Sequence, residues 1–508
     1  MSDFYSGSYL LSPFVPYTGL TVDKLNFIVC QLVAIALGRP FQKYFAAEPG
    51  SSNMARYAVS FVVGCLLCLF CFGHQILHVL FQGTVCLLIM LYADRRYARF
   101  AACIFAIAYL SACHLMRQFY DYGGYTLDIT GPLMISTQRL STLAFNIHDG
   151  IVVKAMEEAD RKKKTDDQTE QQESDKSSEK VKPNLTERQM QHFVRDFPSL
   201  LQYYTYLVHF QGILVGPFVF YVDFRNYMDG TIPMPSDLTK EQREHYLRGT
   251  SRILVVAKWT LFFALVTLTM QTVFPLNFLA EDGFQSYSLI SKWFYMTLAC
   301  FVIRQRYYFA WSLGELSYLS SGCGFTGINK DTGKAEYKTV QNFDFNGVEL
   351  STSMKMAIDN WNISTVHWLR ECVYERVPSK HATLAVFIAS ATWHGFYPGY
   401  YLLFISVAFF TTVARLARRH LRPHFQGSET AKLAYDVVTG LASLTTLNYG
   451  AGAFALLDLY KGLRFWWSMY FIVHVIAGLM YLGFVTLKPA SSSRRSAPEA
   501  PRRAEVAQ

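Results

Sequence analysis

Apolar runs with at most one charged residue each alternate with polar segments along most of the chain, and many of the runs approach the length of a membrane crossing. The clear ones lie at 25–37, 57–72, 76–92, 100–113, 203–222, 253–274, 289–303, 400–413, 437–457 and 466–485, with a weaker one at 129–147. A hydrocarbon layer of ~30 Å is crossed by about 20 apolar residues in a helix, and a helix satisfies its own backbone polar groups where no water can. The pattern predicts an all-α, polytopic membrane protein of about 10–12 transmembrane or re-entrant helices.

Two stretches interrupt it. Between 154 and 190, 19 of 37 residues are charged, 9 basic and 10 acidic, with no aromatic ring. A run so polar cannot bury a core and reads as a loop or frayed helix in water. It divides an amino-terminal bundle (1–150) from a carboxy-terminal one (196–487), with 151–195 as a charged linker and 488–508 as a disordered basic tail. The second stretch, 322–380, contains apolar residues at helical spacing, Met354, Ile358, Trp361, Val366 and Leu369. It predicts an amphipathic helix near 350–380 lying at the interface, with Trp361 and Trp368 as headgroup-level anchors.

Composition sharpens this picture. The chain has 508 residues, 51% hydrophobic and only 17% charged, which excludes a soluble protein with charged surfaces throughout. The net charge of +9 is concentrated in short clusters such as Arg95, Arg96 and Arg99, or Arg415, Arg418, Arg419 and Arg422. Cytoplasmic loops favour such clusters, and no separately folded basic face for nucleic acid is present. The opening MSDFYSGSYLL lacks the basic region of a cleavable signal, so the first span is expected to stay as an anchor. Cys65, Cys68 and Cys71 have metal-like spacing but sit in an apolar run without a neighbouring histidine, and read as packing residues.

Candidate chemistry centres on "SATWHGFYPGYYLLF". Residues 382–393 carry no charge and then meet His394, with Gly395, Pro398 and Gly399 directly after. Twelve helical residues rise only ~18 Å, so His394 lies at membrane depth rather than beyond it. An ionisable group there, next to broken backbone, is a candidate for function; the competing reading is a hydrogen-bonded core histidine.

Trp393-His394-Gly395 followed by Pro398-Gly399-Tyr400 and Phe404 resembles the signature of the membrane-bound O-acyltransferases, closest to their lysophospholipid acyltransferase branch. The segments 128–150, 197–224 and 359–377 are also similar to that branch in order and spacing, the last placing an asparagine at Asn362. The branch's Trp-Asp pair is missing, with Glu336-Tyr337 in its place.

The resemblance implies a core with a buried reaction chamber and transfer of a fatty acyl chain from acyl-CoA to the hydroxyl of a lysophospholipid. It implies His394 and Asn362 as the catalytic pair, with Trp361, Trp393, Gly395, Tyr400 and Arg370 around the substrates. No cofactor is expected, acyl-CoA being a co-substrate. The expected partners are acyl-CoA, lysophospholipid and membrane lipids, and the expected location is the endoplasmic reticulum membrane. A neutral imidazole suits removal of a hydroxyl proton. An asparagine amide either donates to the thioester carbonyl or fixes the imidazole tautomer.

Arg304, Arg306, Arg370, Arg376 and Lys380 are candidates for CoA phosphates or simply basic flanks. Asp149 beside His148 is a candidate second acid/base pair but reads better as the polar end of a span. Asn362-Ile363-Ser364 and Asn184-Leu185-Thr186 are formal glycosylation sequons. A sterol, diacylglycerol or protein acceptor is the alternative within the family. A transporter is the alternative outside it, weakened by the lack of repeated halves.

Overall fold

The apolar runs fold into helices in a computed structural model that describes residues 5–124, 126–169 and 185–486, without the side chains of 162–169. From the amino-terminal runs come α1 (Val22–Tyr44), α2 (Met54–Phe72), α3 (Ile76–Tyr92) and α4 (Ala98–Tyr120). Next are α5 (Thr130–Thr169), α6 (Leu200–Val208), α7 (Thr250–Met270) and α8 (Leu289–Ser320). After these come α9 (Met354–Asn360), α10 (Ile363–Cys372), α11 (Ser379–His394) and α12 (Pro398–Leu421). The last are α13 (Glu429–Leu456), α14 (Leu459–Ser468) and α15 (Ile472–Thr486), with shorter helical turns elsewhere in the chain. Sheet among the described residues is confined to a hairpin, β1 (Gly327–Ile328) antiparallel to β2 (Ala335–Glu336).

Five helical segments among the described residues are long and apolar enough to cross a membrane: Val22–Tyr44, Met54–Tyr92, Ala98–Tyr120, Lys240–Met270 and Pro398–Phe425. A sixth is the pair α14 and α15, bent by 74°. The bend falls at Tyr470 and Phe471, both with positive φ, and it interrupts the single run expected at 466–485. Other expected passes correspond to α5, α8 and α13, helices of 40, 32 and 28 residues that carry buried polar groups.

The run at 203–222 is a correction. Helix α6 stops at Val208, and the chain turns through Gly212, Gly216 and Pro217 before a short helix at Tyr221–Asp229. Phe210, Ile213, Phe218 and Val219 are at most 2% exposed, so these residues are apolar because protein covers them. A short apolar run does not by itself distinguish a lipid crossing from core.

Helix α5 is the weak span of the sequence and lies inside the bundle. Ser136, Thr137, Gln138, Arg139, Ser141, Thr142, Asn146 and Asp149 are all at most 1% exposed. Buried polar groups need partners, and α5 finds them on every side. Gln82 of α3 bonds Ser136 and Thr137, and Trp368 Nε1 donates to Ser141 at 2.8 Å. Arg139 donates to the carbonyls of Leu207 (2.7 Å) and Gly212 (3.1 Å), pinning the turn after α6. Asn146 donates to Glu371, and Asp149 takes both guanidinium nitrogens of Arg376 at 2.5 and 2.8 Å. Asp149 is thus committed to an ion pair.

One buried core runs from Cys30 in α1 to Trp393 in α11 and joins residues on both sides of the charged run. A second core links α8, α12, α13, α14 and α15. The core therefore does not divide at the expected linker. Helix α5 itself continues to Thr169, where Glu157 pairs with Arg195 and Lys154 with Asp196. Residues 170–184 of the charged run, Asn184 among them, and the 488–508 tail lie outside the described residues. Cys68 and Cys71 are buried in the first core, with Cys65 packed against it.

Arg376→Ala strands the carboxylate of Asp149, and breaking one partner of a buried pair costs about 3–5 kcal/mol. The expected result is a clear drop in detergent melting temperature for the single variant. Asp149→Leu combined with Arg376→Met recovers most of it, measured under the same conditions.

Candidate active site

Helix α11 ends at His394 because Gly395 leaves the helical region. Its φ of 119° and ψ of −163° are accessible essentially to glycine alone, and a Cβ here would meet the His114 ring at 3.3 Å. The Gly395 N–H closes the last turn on the carbonyls of Ala391 and Thr392. Pro398 then opens α12, where its fixed φ suits the first turn. Gly399 is required for a different reason: its N–H donates to Leu457 O at 2.7 Å, and a Cβ would lie 2.5 Å from Ala453 O.

The break is held from outside by the end of α4. His114 Nε2 donates to Trp393 O (3.1 Å) and Gln118 Nε2 to Phe396 O (3.5 Å). In the following turn, Gly123 N–H donates to the Tyr397 hydroxyl at 2.9 Å. Residues 114 and 118 are one helical turn apart and so share a face. Sequence reasoning ended that span at Cys113 and missed both. The i,i+4 pair of polar side chains at its end was the available signal.

His394 is half-buried within aromatic rings. Phe404 stacks on it at 5.3 Å, Phe454 meets it edge-on at 5.3 Å, and Trp393 and Tyr400 lie at 4.8 and 5.9 Å. Neither ring nitrogen makes a hydrogen bond among the described residues, unlike the hydrogen-bonded core histidine of the competing reading. Phe454 comes from α13 and carries no sequence signal for this role.

Asn362 sits where the expected amphipathic helix breaks into α9 and α10. Its φ of 50° and ψ of 54° are left-handed, a conformation asparagine tolerates better than most residues. The Ile363 N–H donates to Asn342 O at 2.7 Å, and Asn342 Oδ1 takes both N–H and hydroxyl of Ser364. Ser364 is therefore buried in the fold, which argues against a glycan at this sequon. The Asn362 Oδ1 accepts from the Thr365 hydroxyl at 2.9 Å, leaving Nδ2 as a donor without a partner among the described residues.

Helix α5 ties the two sites together. Trp393 Nε1 donates to Met134 O (3.0 Å), and Gln138 Nε2 donates to Thr365 Oγ1 (2.8 Å), which bonds Asn362. Met134 and Gln138 are ~6 Å apart along the axis. Trp368 packs on Trp393 at 5.8 Å and is 1% exposed. The expected interfacial anchor is a core residue, because the chain break at Asn362 turns this face of α10 onto α5.

The remaining expected site residues divide. Tyr400 is half-buried, with its ring 4.4 Å from Phe454 and beside His394. Trp393 and Gly395 are buried and shape the turn. Trp361 packs on Tyr307, Tyr308 and Trp311 of α8. Arg370 is half-buried without an ion-pair partner among the described residues. Arg304 is held by Glu349 at 2.7 Å and Arg306 bonds Gln271. Glu336 and Tyr337 fall on the β2 side of the hairpin, where Lys338 and Asn329 hold the Glu336 carboxylate below its usual pKa.

Residues 115–442 match the sequence model of MBOAT, the membrane-bound O-acyltransferase family. The chain is 36% identical over 94% of its length to "Lysophospholipid acyltransferase 6" of Drosophila melanogaster, spanning 63% of that protein. It is 34% identical over 96% of its length to "Membrane-bound glycerophospholipid O-acyltransferase 2" of Mus musculus, spanning 89% of it. It is 30% identical over 91% of its length to the "Lysophospholipid acyltransferase" of Schizosaccharomyces pombe, spanning 86%.

Gly395→Ala forces a strained φ at a cost of about 1–3 kcal/mol and pushes on His114. The backbone relaxes by moving the His394 turn, so the expected outcome is at least a roughly tenfold fall in kcat. Steady-state assay of the purified variant, with its melting temperature alongside, measures it.

Proposed function

The chain belongs to the membrane-bound O-acyltransferase family, and on that footing we propose that it is an acyl-CoA-dependent lysophospholipid O-acyltransferase of the endoplasmic reticulum membrane. It is a multi-pass membrane protein with helices apolar enough to cross. The observation that carries the reading is His394: an imidazole whose ring nitrogens have no partner among the described residues, walled by aromatic rings, at the end of a helix too short to cross.

In the proposed reaction, neutral His394 takes the proton from the lysophospholipid hydroxyl as its oxygen attacks the acyl-CoA thioester carbon. The carbonyl oxygen becomes an oxyanion, stabilised by the free Nδ2–H of Asn362. Collapse breaks the carbon–sulfur bond, and the proton held by His394 passes to the leaving thiolate. The products are a two-chain phospholipid and CoA, and the reaction needs no cofactor. Aromatic walls limit the water that would compete for the thioester.

A cationic cluster supports CoA as the acyl carrier. Arg188 and Arg370 are half-buried, and neither has an ion-pair partner among the described residues. Burial, followed by these two guanidinium groups, pushes His367 down to about 4. His367 therefore stays neutral at physiological pH, leaving two cations for phosphate, a geometry arginine serves well.

His394→Ala is expected to lower turnover by ~10²–10⁴, and Asn362→Ala by ~10²–10³, with folding retained. Purified protein given radiolabelled acyl-CoA should label lysophospholipid far faster than cholesterol, diacylglycerol or a peptide. Efficient ester formation on a sterol or diacylglycerol, with lysophospholipid inert, would replace the acceptor. Full turnover by His394→Ala would remove the mechanism. Arg188→Ala with Arg370→Ala should raise the KM for acyl-CoA about three- to tenfold, equivalent to roughly one charge-assisted contact, with kcat little changed.

A further inference from the structure

We infer that Gln138 and Thr365 are positioning residues for acyl transfer: their hydrogen-bond relay decides which end of the Asn362 amide is offered to the developing oxyanion. The inference rests on the reading of Asn362 as the oxyanion donor and goes beyond it, because neither residue touches the reacting atoms.

The Asn362 backbone has little freedom. The Ile363 N–H is fixed on Asn342 O, and the Val366 N–H closes the first turn of α10 on Asn362 O at 3.1 Å. What remains is rotation of the side-chain amide, which exchanges a carbonyl oxygen for an NH2 group of nearly the same shape. The two orientations have opposite consequences: Nδ2–H stabilises negative charge on the thioester oxygen, whereas Oδ1 in the same place repels it.

A hydroxyl alone would not choose between them, since threonine both donates and accepts. Gln138 tips the choice, because a buried hydroxyl that already accepts one bond gains more by donating its proton than by accepting again. Its Nε2 donates to Thr365 Oγ1 at 2.8 Å, which leaves the hydroxyl proton for Asn362 Oδ1 at 2.9 Å. Gln138 is 1% exposed and Thr365 6%, so the bond between them is shielded from water, and bonds in such a chain reinforce one another.

The arrangement also carries a cost. Gln138 Oε1 is buried and has no partner among the described residues, and an unsatisfied buried acceptor is unfavourable. A glutamine kept for stability alone would do better with both ends bonded. The other bonds at this level of α5, Trp368 to Ser141 and Trp393 to Met134, already hold α10 and α11 in place without it.

The test compares Thr365→Val, which removes the hydroxyl at constant shape, with Thr365→Ser, which keeps it. Each is made in the wild-type and Asn362→Ala backgrounds and assayed in the steady state with radiolabelled acyl-CoA. Thr365→Val should lower kcat about tenfold, part of the ~10²–10³ of an oxyanion donor, with both KM values within about twofold. Thr365→Ser should keep at least about half of wild-type activity. With Asn362 already alanine, Thr365→Val should change the rate by less than about twofold, the non-additivity of residues acting as one unit. Gln138→Met should reproduce the kcat loss and replaces Thr365→Val in the comparison if that variant does not reach wild-type melting temperature.

Wild-type turnover in Thr365→Val, an equal loss in both backgrounds, or a Thr365→Ser as impaired as Thr365→Val would each overturn the relay. Full activity of Asn362→Ala alone would instead sink the underlying assignment of Asn362, so the two failures are distinguishable.

Discussion

Polar side chains taken out of water inside a helical bundle must find partners, and the buried face of α5 imposes that demand on its neighbours. Each orphaned group there would cost roughly 1–3 kcal/mol, so α3, the turn after α6, and α10 are held where their donors and acceptors meet those of α5. Arg139 is the extreme case. It is a guanidinium at 0% exposure whose bonds go to carbonyls, His209 and Tyr318 rather than to a carboxylate. Hydrophobic burial supplies most of the driving force, but it is non-directional. The hydrogen bonds of α5 are what select one arrangement of the helices around it.

The proposed catalytic pair inherits its geometry from this helix. Asn362 and His394 are 32 residues apart in the chain, yet both are referred to neighbouring turns of α5, one through Thr365 and Gln138, the other through Trp393 and Met134. The opposite side of the His394 turn is clamped by His114 and Gln118 on α4. Gly395 permits the break, and those two walls define it. An imidazole held this way keeps its nitrogens free because the turn is anchored through backbone carbonyls, not through the ring.

Much of this was legible beforehand. Spacing of apolar residues marked the helices, and the charge-free run into His394 with glycines and proline behind it marked the broken helix. The misreadings share a cause. The 203–222 run and Trp368 were assigned to membrane and interface because an apolar side chain carries no label for what covers it. Arg304 and Arg376 were candidates for CoA phosphate or basic flank, and Asp149 for a span end, until Glu349 at a distance of 45 residues from Arg304 and Asp149 at 227 from Arg376 showed them paired.

The sequence by itself determined a polytopic helical membrane protein, the break at Gly395, and the residue types suited to acyl transfer. These follow from local periodicity, from the backbone needs of glycine and proline, and from side-chain chemistry. The tertiary structure alone decided which polar groups are already bonded to the protein and which are left over. It committed Asn362 Oδ1 to Thr365, left both nitrogens of His394 free among the described residues, and turned Trp368 inward. Those outcomes depend on contacts between residues up to hundreds of positions apart, and packing, not local pattern, selects them.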